Sequence, residues 1–193
     1  MNVTFDTNCL VDLELNEGAA PQLLRIVEAH ESNQITISVP GIGASERLKD
    51  GTFAETFSLF MKRVNKLAKR EFEILKPLAY FDLTYFDWSI LGGDEIDEIE
   101  SRIHEILFPE TMFRWADQAS ACGLDPNQAA KEHNTEWLKW RNRKCDTLAL
   151  WCHIHYKKDV FITQDSNFHK VTKKSTLEKL GAKSILFPLE ISL

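Results

Sequence analysis

The sequence lacks several features that would place it in a specialised class of protein. Its four cysteines, Cys9, Cys122, Cys145 and Cys152, never form a C-x-x-C pair, which argues against a disulfide framework and a structural zinc site. No run approaches the roughly 18 consecutive apolar residues of a membrane helix, and the first residues lack the basic and then apolar pattern of a secretion signal. No stretch is rich enough in Gly, Pro or Ser to divide the chain. We therefore expect one cytoplasmic domain over residues 1–193 that does not enter a membrane.

What the chain does contain is enough apolar material for a core and a strongly uneven distribution of charge. It has 193 residues, of which 44% are hydrophobic, and a net charge of −6. Residues 81–130 carry 2 basic and 11 acidic side chains, whereas residues 131–193 carry 12 basic and 7 acidic ones. The balance excludes a uniformly basic nucleic-acid binder and leaves room for local basic surfaces.

Two clusters of basic residues are candidates for contact with RNA phosphates. The first comprises Lys62, Arg63, Lys66, Lys69 and Arg70, which fall on one face of a helix predicted over residues 53–71. The second comprises Arg141, Arg143 and Lys144. For both clusters a phosphate-binding surface and an ordinary solvated helix face remain open alternatives.

Short β-rich runs alternate with long stretches that have helical spacing. The runs are Val3 to Phe5, Ile35 to Val39, Val160 to Thr163 and Ser184 to Phe187. One predicted helix follows Pro21, a second covers residues 53–71, and a third begins after Gly92-Gly93 and stops before Pro109. Three more are predicted over about 110–122, 126–143 and 146–156. The alternation predicts an α/β fold with a mostly parallel sheet. The acidic segment 82–134 interrupts the strand rhythm and is predicted to be a helical insertion.

Four carboxylates follow predicted strands or begin predicted helices. Asp6 ends the first strand, and Glu46 follows the second strand and the Gly41-Ile42-Gly43 turn at the opening of a helix. Asp146 heads the helix 146–156, and Asp165 follows the third strand. In an open parallel sheet these positions lie along one edge, so we expect the four acids to converge. Carboxylates packed together repel, and oxygen ligands of this kind suit Mg²⁺ or Mn²⁺.

The segments that carry these acids resemble the PIN-domain ribonucleases, including the toxin type of bacterial toxin–antitoxin pairs. The matching segments, in order, are VTFDTNCLVDLE, SVPGIGASE and CDTLALWCHIHYKKDVFITQDSNF. They contain an Asp-Thr-Asn after the first strand and a Thr-x-Asp-x-x-Phe signature from Thr163 to Phe168. The resemblance covers about residues 1–60 and 140–193, and it leaves the acidic middle unexplained.

This resemblance implies a three-layer α/β/α fold and a divalent-metal-dependent endoribonuclease with Asp6, Glu46, Asp146 and Asp165 as catalytic and metal-binding residues. In the mechanism we expect, Asp6, Asp146 and Asp165 hold one or two ions, and Glu46 is a further ligand or the base that orients water. RNA is the implied substrate, Mg²⁺ or Mn²⁺ the cofactor, and a small antitoxin the implied partner in a toxin setting; a homodimer is an open alternative. Many family members carry a further acid where this chain has Asn167, which brings no charge.

Neutral polar residues beside the acids have two open interpretations. Thr7, Asn8, Thr163 and Asn167 would orient the carboxylates around a metal ion. Alternatively, Thr7 and Asn8 would cap the helix after the first strand.

Three rival functions follow from the same residues. A haloacid-dehalogenase-type phosphotransferase would need an acid at Asn8, and a response-regulator receiver would need more than one acid near the first strand. The third is a catalytically inactive, PIN-like interaction module that binds a protein or RNA partner.

Overall fold

Five short parallel strands form the centre of the molecule in the computed structural model, which describes residues 1–46 and 56–193. The strands are β1 (Asn2–Phe5), β2 (Thr36–Pro40), β3 (Glu73–Leu75), β4 (Val160–Ile162) and β5 (Ser184–Leu186). Their order across the sheet is β3-β2-β1-β4-β5, and every neighbouring pair is parallel. The expectation of an α/β fold with a parallel sheet is confirmed.

Helices connect the strands and cover the sheet. They are α1 (Thr7–Leu15), α2 (Ala20–Glu31), α3 (Phe57–Val64), α4 (Asp94–Leu107), α5 (Trp115–Ala121), α6 (Pro126–Lys131), α7 (Thr135–His155), α8 (Ser166–His169) and α9 (Val171–Leu177). Single helical turns occur at Gly41–Ser45, Phe86–Trp88, Glu178–Ala182 and Pro188–Glu190.

Alternating side chains of the strands belong to two separate apolar cores, one on each face of the sheet. In β4, Val160 and Ile162 belong to one core, and Phe161 between them belongs to the other. The first core also contains Leu23 of α2, and the second contains Leu148 of α7. Because successive side chains of a strand point to opposite faces, helices pack on both faces of the sheet, as in a three-layer α/β/α arrangement.

The chain changes direction across the sheet at β1. From β1 it moves outward through β2 to β3, and it then returns to the other side of β1 for β4 and β5. Ligands of open parallel sheets bind outside the carboxyl ends of the strands at such a switch point. Asp6 follows β1 and Asp165 lies three residues after β4, so the two acids flank this point.

Several predicted elements are confirmed and three predicted helices are corrected. The four predicted strands and the helix between Gly93 and Pro109 are present, whereas the edge strand β3 was not predicted. The helix predicted over 53–71 was wrong in extent, since α3 ends at Val64; its first residues, 53–55, lie outside the described part of the chain.

The separate helices predicted over 126–143 and 146–156 were also wrong. Asn134 caps α7 through its Oδ1, which accepts a hydrogen bond from the N–H of Glu136 at 2.8 Å. From there a single helix of 21 residues runs to His155, because no Gly or Pro interrupts it. Asp146 therefore lies in the middle of α7 and not at a helix start. The predicted cap at Asp125 is confirmed by a 2.7 Å bond from the N–H of Gln128.

The acidic segment 82–134 is helical and packs onto the sheet domain. It contains α4, α5 and α6; α4 contacts α7 and α9, and α5 contacts α7. Among the described residues, no helix has the length and apolar content needed to cross a membrane.

Candidate metal centre

Asp6 is held from several directions at the start of α1. Its backbone N–H donates to the carbonyl of Ile162 at 3.0 Å, which fixes it against β4. Its Oδ1 accepts from the N–H of Thr7 at 2.8 Å, and its Oδ2 accepts from the hydroxyl of Thr163 and the amide of Asn8, both at 2.6 Å. The Asp6 side chain is buried, so its orientation depends on these bonds.

The hydroxyl of Thr163 joins Asp6 to Asp165. It donates to Asp6 and accepts from the amide of Asn8 and the N–H of Asp165, each at 3.0 Å. One donor and two acceptor positions are all that a hydroxyl offers, so Thr163 is fully used. Asp165 caps α8, its Oδ1 accepting from the N–H of Asn167 at 2.8 Å.

Glu46 reaches the site from the far end of the turn Gly41–Ser45, which follows β2. Its Oε1 accepts a hydrogen bond from the Thr7 hydroxyl at 2.7 Å. Gly43 allows this approach, since a Cβ there would lie 2.8 Å from the Thr7 Oγ1. Arg141 fixes the preceding backbone by donating from Nε and Nη2 to the carbonyl of Ser45 at 3.1 and 2.9 Å. The helix predicted to begin at Glu46 lies outside the described residues.

Burial and mutual repulsion raise the pKa values of three of the four acids. The pKa of Asp6 rises to about 6, chiefly through burial, with a smaller contribution from the charge of Asp165. Burial and the charge of Asp6 raise the pKa of Glu46 to about 8. Burial, and then the charges of Asp6, Glu46 and Asp165, raise the pKa of Asp146 well above its usual value, while Arg143 opposes this shift.

Burial and the nearby negative charges both disfavour the ionised forms of these three carboxyl groups. The structure thus brings the four predicted acids from β1, β2, α7 and β4 into one electrostatically coupled group. Within residues 1–46 and 56–193, no three His, Cys, Asp or Glu side chains are close enough to hold a metal ion as they stand. The donor set, which is entirely carboxylate, suits a hard divalent cation such as Mg²⁺ or Mn²⁺.

A cavity of about 640 Å³ opens beside the acids. Asp6, Glu46 and Asp146 line it, together with Thr7 and Asn8, whereas Asp165 does not. The cavity gives three of the four carboxylates access to a ligand.

The side chain of Asn167 bonds to the end of α4 and to Lys173, and only its backbone N–H bonds to one of the four acids. Its amide donates to the carbonyl of Leu107 at 3.2 Å, and its Oδ1 accepts from Nζ of Lys173 at 2.6 Å. Lys173 also donates to the carbonyl of Leu107 at 2.6 Å. Asn167 therefore ties α8 to the end of α4 and orients Asp165 through its backbone N–H.

The assignment of Lys144 to RNA binding was wrong. Lys144 is 1% exposed and forms an ion pair of 2.6 Å with Glu100 of α4. Its Nζ also lies 3.6 Å from the centre of the Phe113 ring and 4.3 Å from that of Tyr80. Lys144 cannot reach a phosphate because α4 covers this face of α7. The sequence alone did not show this packing, so the prediction failed.

The neighbouring arginines make contacts within the protein. Arg141 is bound to the carbonyls of Ser45 and Asp82, and burial lowers its pKa. Arg143 is half-buried and bonds the hydroxyl of Thr111. Of the two, Arg143 also acts electrostatically on Asp146.

The basic face predicted on α3 does not form, because most of its members lie beyond the end of that helix. Lys62 and Arg63 lie in the last turn of α3, and Lys66, Lys69 and Arg70 follow it. Arg63 binds Glu14 of α1, and Arg70 donates to the carbonyls of His30 and Ile35. Lys62, Lys66 and Lys69 are exposed. Arg63 is the one member of this set that lines the described cavity.

Sequence reasoning missed the roles of three residues at the site, one of which, Arg141, it had proposed only as an RNA contact. Gly43 permits the close approach to Thr7, and Arg141 fixes the backbone before Glu46. Gln164 binds Asn8 Oδ1 with its N–H at 3.1 Å and Asp12 Oδ2 with its amide at 2.6 Å. The Gly41-Ile42-Gly43 turn was the signal for the first; the other two give none in the sequence.

Comparisons of the chain with protein-family models, with curated proteins and with solved structures give no match.

Proposed function

We propose that the protein is a divalent-metal-dependent endoribonuclease of the PIN-domain type. The observation that carries the proposal is the convergence of Asp6, Glu46, Asp146 and Asp165, which come from distant parts of the chain, at the carboxyl edge of a parallel sheet. Burial, and then the charges of the neighbouring acids, raise the pKa values of three of them. Burying several carboxylates together is costly, and a bound cation would offset this cost. The arrangement therefore favours a metal-dependent function.

In this proposal the four carboxylates hold Mg²⁺ or Mn²⁺, and the neutral residues aim them. Such an ion supplies a bound water of lowered pKa and neutralises charge on the scissile phosphate. Thr163 and Asn8 hold Asp6, and Thr7 holds Glu46. Glu46 is either a further ligand or the base that orients water, and both roles need its ionised form, which a nearby cation favours against the burial that raises its pKa.

The test is cleavage of RNA by the wild type and by a protein carrying Asp6→Asn and Asp146→Asn. We expect the wild type to cut RNA in Mg²⁺ or Mn²⁺ and to stop when EDTA is added. The double variant should be at least 100-fold slower. Asp117→Asn, which removes an exposed carboxylate of α5, is the matched control and should cut at the wild-type rate. Equal rates for the wild type and the double variant would refute the assignment.

Binding of Mn²⁺ measured by calorimetry separates loss of the cation from loss of the fold. We expect the double variant to lose Mn²⁺ binding while its circular dichroism spectrum is retained. A toxin role with an antitoxin partner belongs to the same hypothesis. Growth arrest on expression of the wild type, absent for the double variant, is the expected result.

A non-catalytic interaction module is the second candidate, favoured by an exposed aromatic patch. Phe81 and Phe86 are 84% and 52% exposed and contact each other at 5.2 Å between ring centres. Leu91 is 80% exposed nearby in sequence. Exposed apolar groups in the most acidic part of the chain fit a basic partner protein. Absence of both metal binding and RNA cleavage would favour this alternative.

A further inference from the structure

A tight turn at the end of α4, residues 107–111, belongs to the acidic segment and is closed by hydrogen bonds. The N–H of Thr111 donates to the carbonyl of Phe108 at 2.9 Å, and Pro109 holds the second position of this turn, which suits its fixed backbone. His104, buried in the last turn of α4, donates from Nε2 to the carbonyl of Thr111 at 3.0 Å. The turn 107–111 is therefore fastened to its own helix.

One end of this turn supports α8, the helix that Asp165 caps. The carbonyl of Leu107 accepts two hydrogen bonds, from the amide of Asn167 at 3.2 Å and from Nζ of Lys173 at 2.6 Å. Lys173 also donates to Oδ1 of Asn167 at 2.6 Å, so both polar atoms of the Asn167 side chain are held. The backbone N–H of Asn167 donates to Oδ1 of Asp165 at 2.8 Å. Leu107 thus fixes the residue that orients Asp165.

The other end of the turn supports Arg143, which lies three residues before Asp146 on α7. Nη1 of Arg143 donates to the hydroxyl of Thr111, a buried residue. The guanidinium carbon also lies 5.8 Å from the centre of the Phe108 ring. The positive charge of Arg143 favours the ionised form of Asp146, which is the form that binds a cation. Two acids of the candidate site thus depend on one turn of the acidic segment.

We propose that the turn 107–111 positions Asp146 and Asp165 for metal binding, which makes the acidic segment part of the metal centre. The inference rests on the proposed function and gives a role to the segment that the family resemblance leaves unexplained. Residues that orient metal ligands raise metal affinity because they hold the ligands in place before the ion arrives. Asn167 is the positioning residue for Asp165. Thr111 is the positioning residue for Asp146.

Two substitutions that leave the net charge unchanged test the inference. Thr111→Val removes the hydroxyl and keeps the shape of the side chain, and Asn167→Leu removes the side-chain amide and keeps the backbone N–H that binds Asp165. Calorimetry measures the dissociation constant for Mn²⁺, and unfolding by urea in EDTA measures the stability of the metal-free protein. We expect each variant to bind Mn²⁺ about 10-fold more weakly, the lower end of the range typical for residues that orient a metal ligand.

Matched controls carry the same chemical changes at exposed positions of other helices. Thr176→Val on α9 and Asn127→Leu on α6 should bind Mn²⁺ as the wild type does. Thr111→Ser restores a hydroxyl and should recover the wild-type affinity. All titrations use protein whose circular dichroism spectrum is that of the wild type, so a substitution that only destabilises the acidic segment leaves the affinity unaltered.

Other outcomes overturn the inference and leave the proposed function distinguishable from it. If either variant binds Mn²⁺ with the wild-type affinity, or loses only stability, the turn does not position both acids and the inference is wrong. It is also wrong if Thr111→Ser fails to recover the affinity. If Thr111→Val does not fold, Asn167→Leu decides alone. In these cases the protein with Asp6→Asn and Asp146→Asn still loses Mn²⁺, so the proposed function stands. A wild type that binds no Mn²⁺ contradicts the proposed function, and the inference fails with it.

Discussion

Neutral residues set the geometry of the candidate site as much as the acids do. The Thr163 hydroxyl contacts Asp6, Asn8 and the backbone of Asp165, and the Thr7 hydroxyl bridges α1 to Glu46. The acids were predictable because each follows a strand or belongs to a family-like motif. The polar residues beside them were also predicted to orient the acids, but their bonding partners were not, since Asn8 and Thr163 are 155 residues apart and no sequence spacing relates them.

Gly43 provides the sharpest single-residue prediction. In Gly43→Ala the new methyl group would lie 2.8 Å from the Thr7 Oγ1, so the hydroxyl must rotate away and lose its 2.7 Å bond to Glu46. Loss of a hydrogen bond that orients a metal ligand typically lowers metal affinity by about 10- to 100-fold. We expect a weakening of this size for Mn²⁺, measured by calorimetry.

Gly93→Ala is the matched control for this substitution. A Cβ at Gly93 meets no atom within 4 Å, so its Mn²⁺ affinity should equal that of the wild type. An unchanged affinity in Gly43→Ala would show that the bond between Thr7 and Glu46 does not support the metal site.

At the scale of elements, α7 joins the acid cluster to the helical segment. Asp146 faces the cavity, and two residues earlier Lys144 is buried against Glu100 of α4. Glu100 also accepts a hydrogen bond of 2.5 Å from the hydroxyl of Tyr80. A buried ion pair of this kind fixes the position of α4 on α7, because each charge left alone in the interior would be costly.

Removal of one charge from this pair should destabilise the protein strongly. In Lys144→Met the carboxylate of Glu100 stays buried without its cation, and the expected loss in the free energy of unfolding is about 3–5 kcal/mol. Urea denaturation followed by circular dichroism measures it.

The double variant Lys144→Met with Glu100→Leu is the control for the charge. Replacement of both partners by apolar groups should recover most of the lost stability. A stable Lys144→Met protein that binds RNA more weakly would contradict the ion-pair interpretation and restore a role for Lys144 in RNA binding.

Some strands and helices were predictable from the sequence and others were not, depending on how strongly their burial shows in the pattern of apolar residues. Central strands such as β1 and β4 were predictable because apolar or β-branched residues run continuously through them. Strand β3 has three residues, of which only Leu75 is buried, so it leaves almost no pattern. Helix α7 was divided in two because its first half is amphipathic and its second half is buried all round, a change caused by what packs against it.

At the scale of the whole molecule, the acid cluster is a source of instability in the metal-free protein. Asp6, Glu46 and Asp146 come together only on folding, and folding raises their pKa values. A cluster that opposes folding when charged is expected where function requires the arrangement. The pH dependence of stability therefore reports on the cluster directly.

The sign of this dependence follows from proton binding. Between pH 4.5 and about 8, folded Glu46 holds a proton that the unfolded chain has released, so the free energy of unfolding falls as pH rises through this window. Buried His153 has its pKa lowered from 6.5 to about 4, and its opposing contribution falls away as pH rises through 6.5. In the range from pH 6.5 to about 8 the carboxylates therefore dominate the dependence.

In this range we expect the metal-free wild type to lose up to about 1.4 kcal/mol of stability per pH unit for each titrating carboxyl group. For a domain of this size, the loss corresponds to a decrease in Tm of about 2–4 °C per kcal/mol, which differential scanning calorimetry in EDTA resolves. Glu46→Gln should flatten the dependence of Tm on pH, since it removes one of the titrating groups.

Saturating Mg²⁺ should reverse the sign of this dependence for the wild type, because the cation binds the deprotonated carboxylates and stabilises the folded state in proportion to their ionisation. A metal-free Tm that does not change between pH 6.5 and 8, or one that Mg²⁺ leaves unaltered at pH 8, would contradict a cation site built from these four acids.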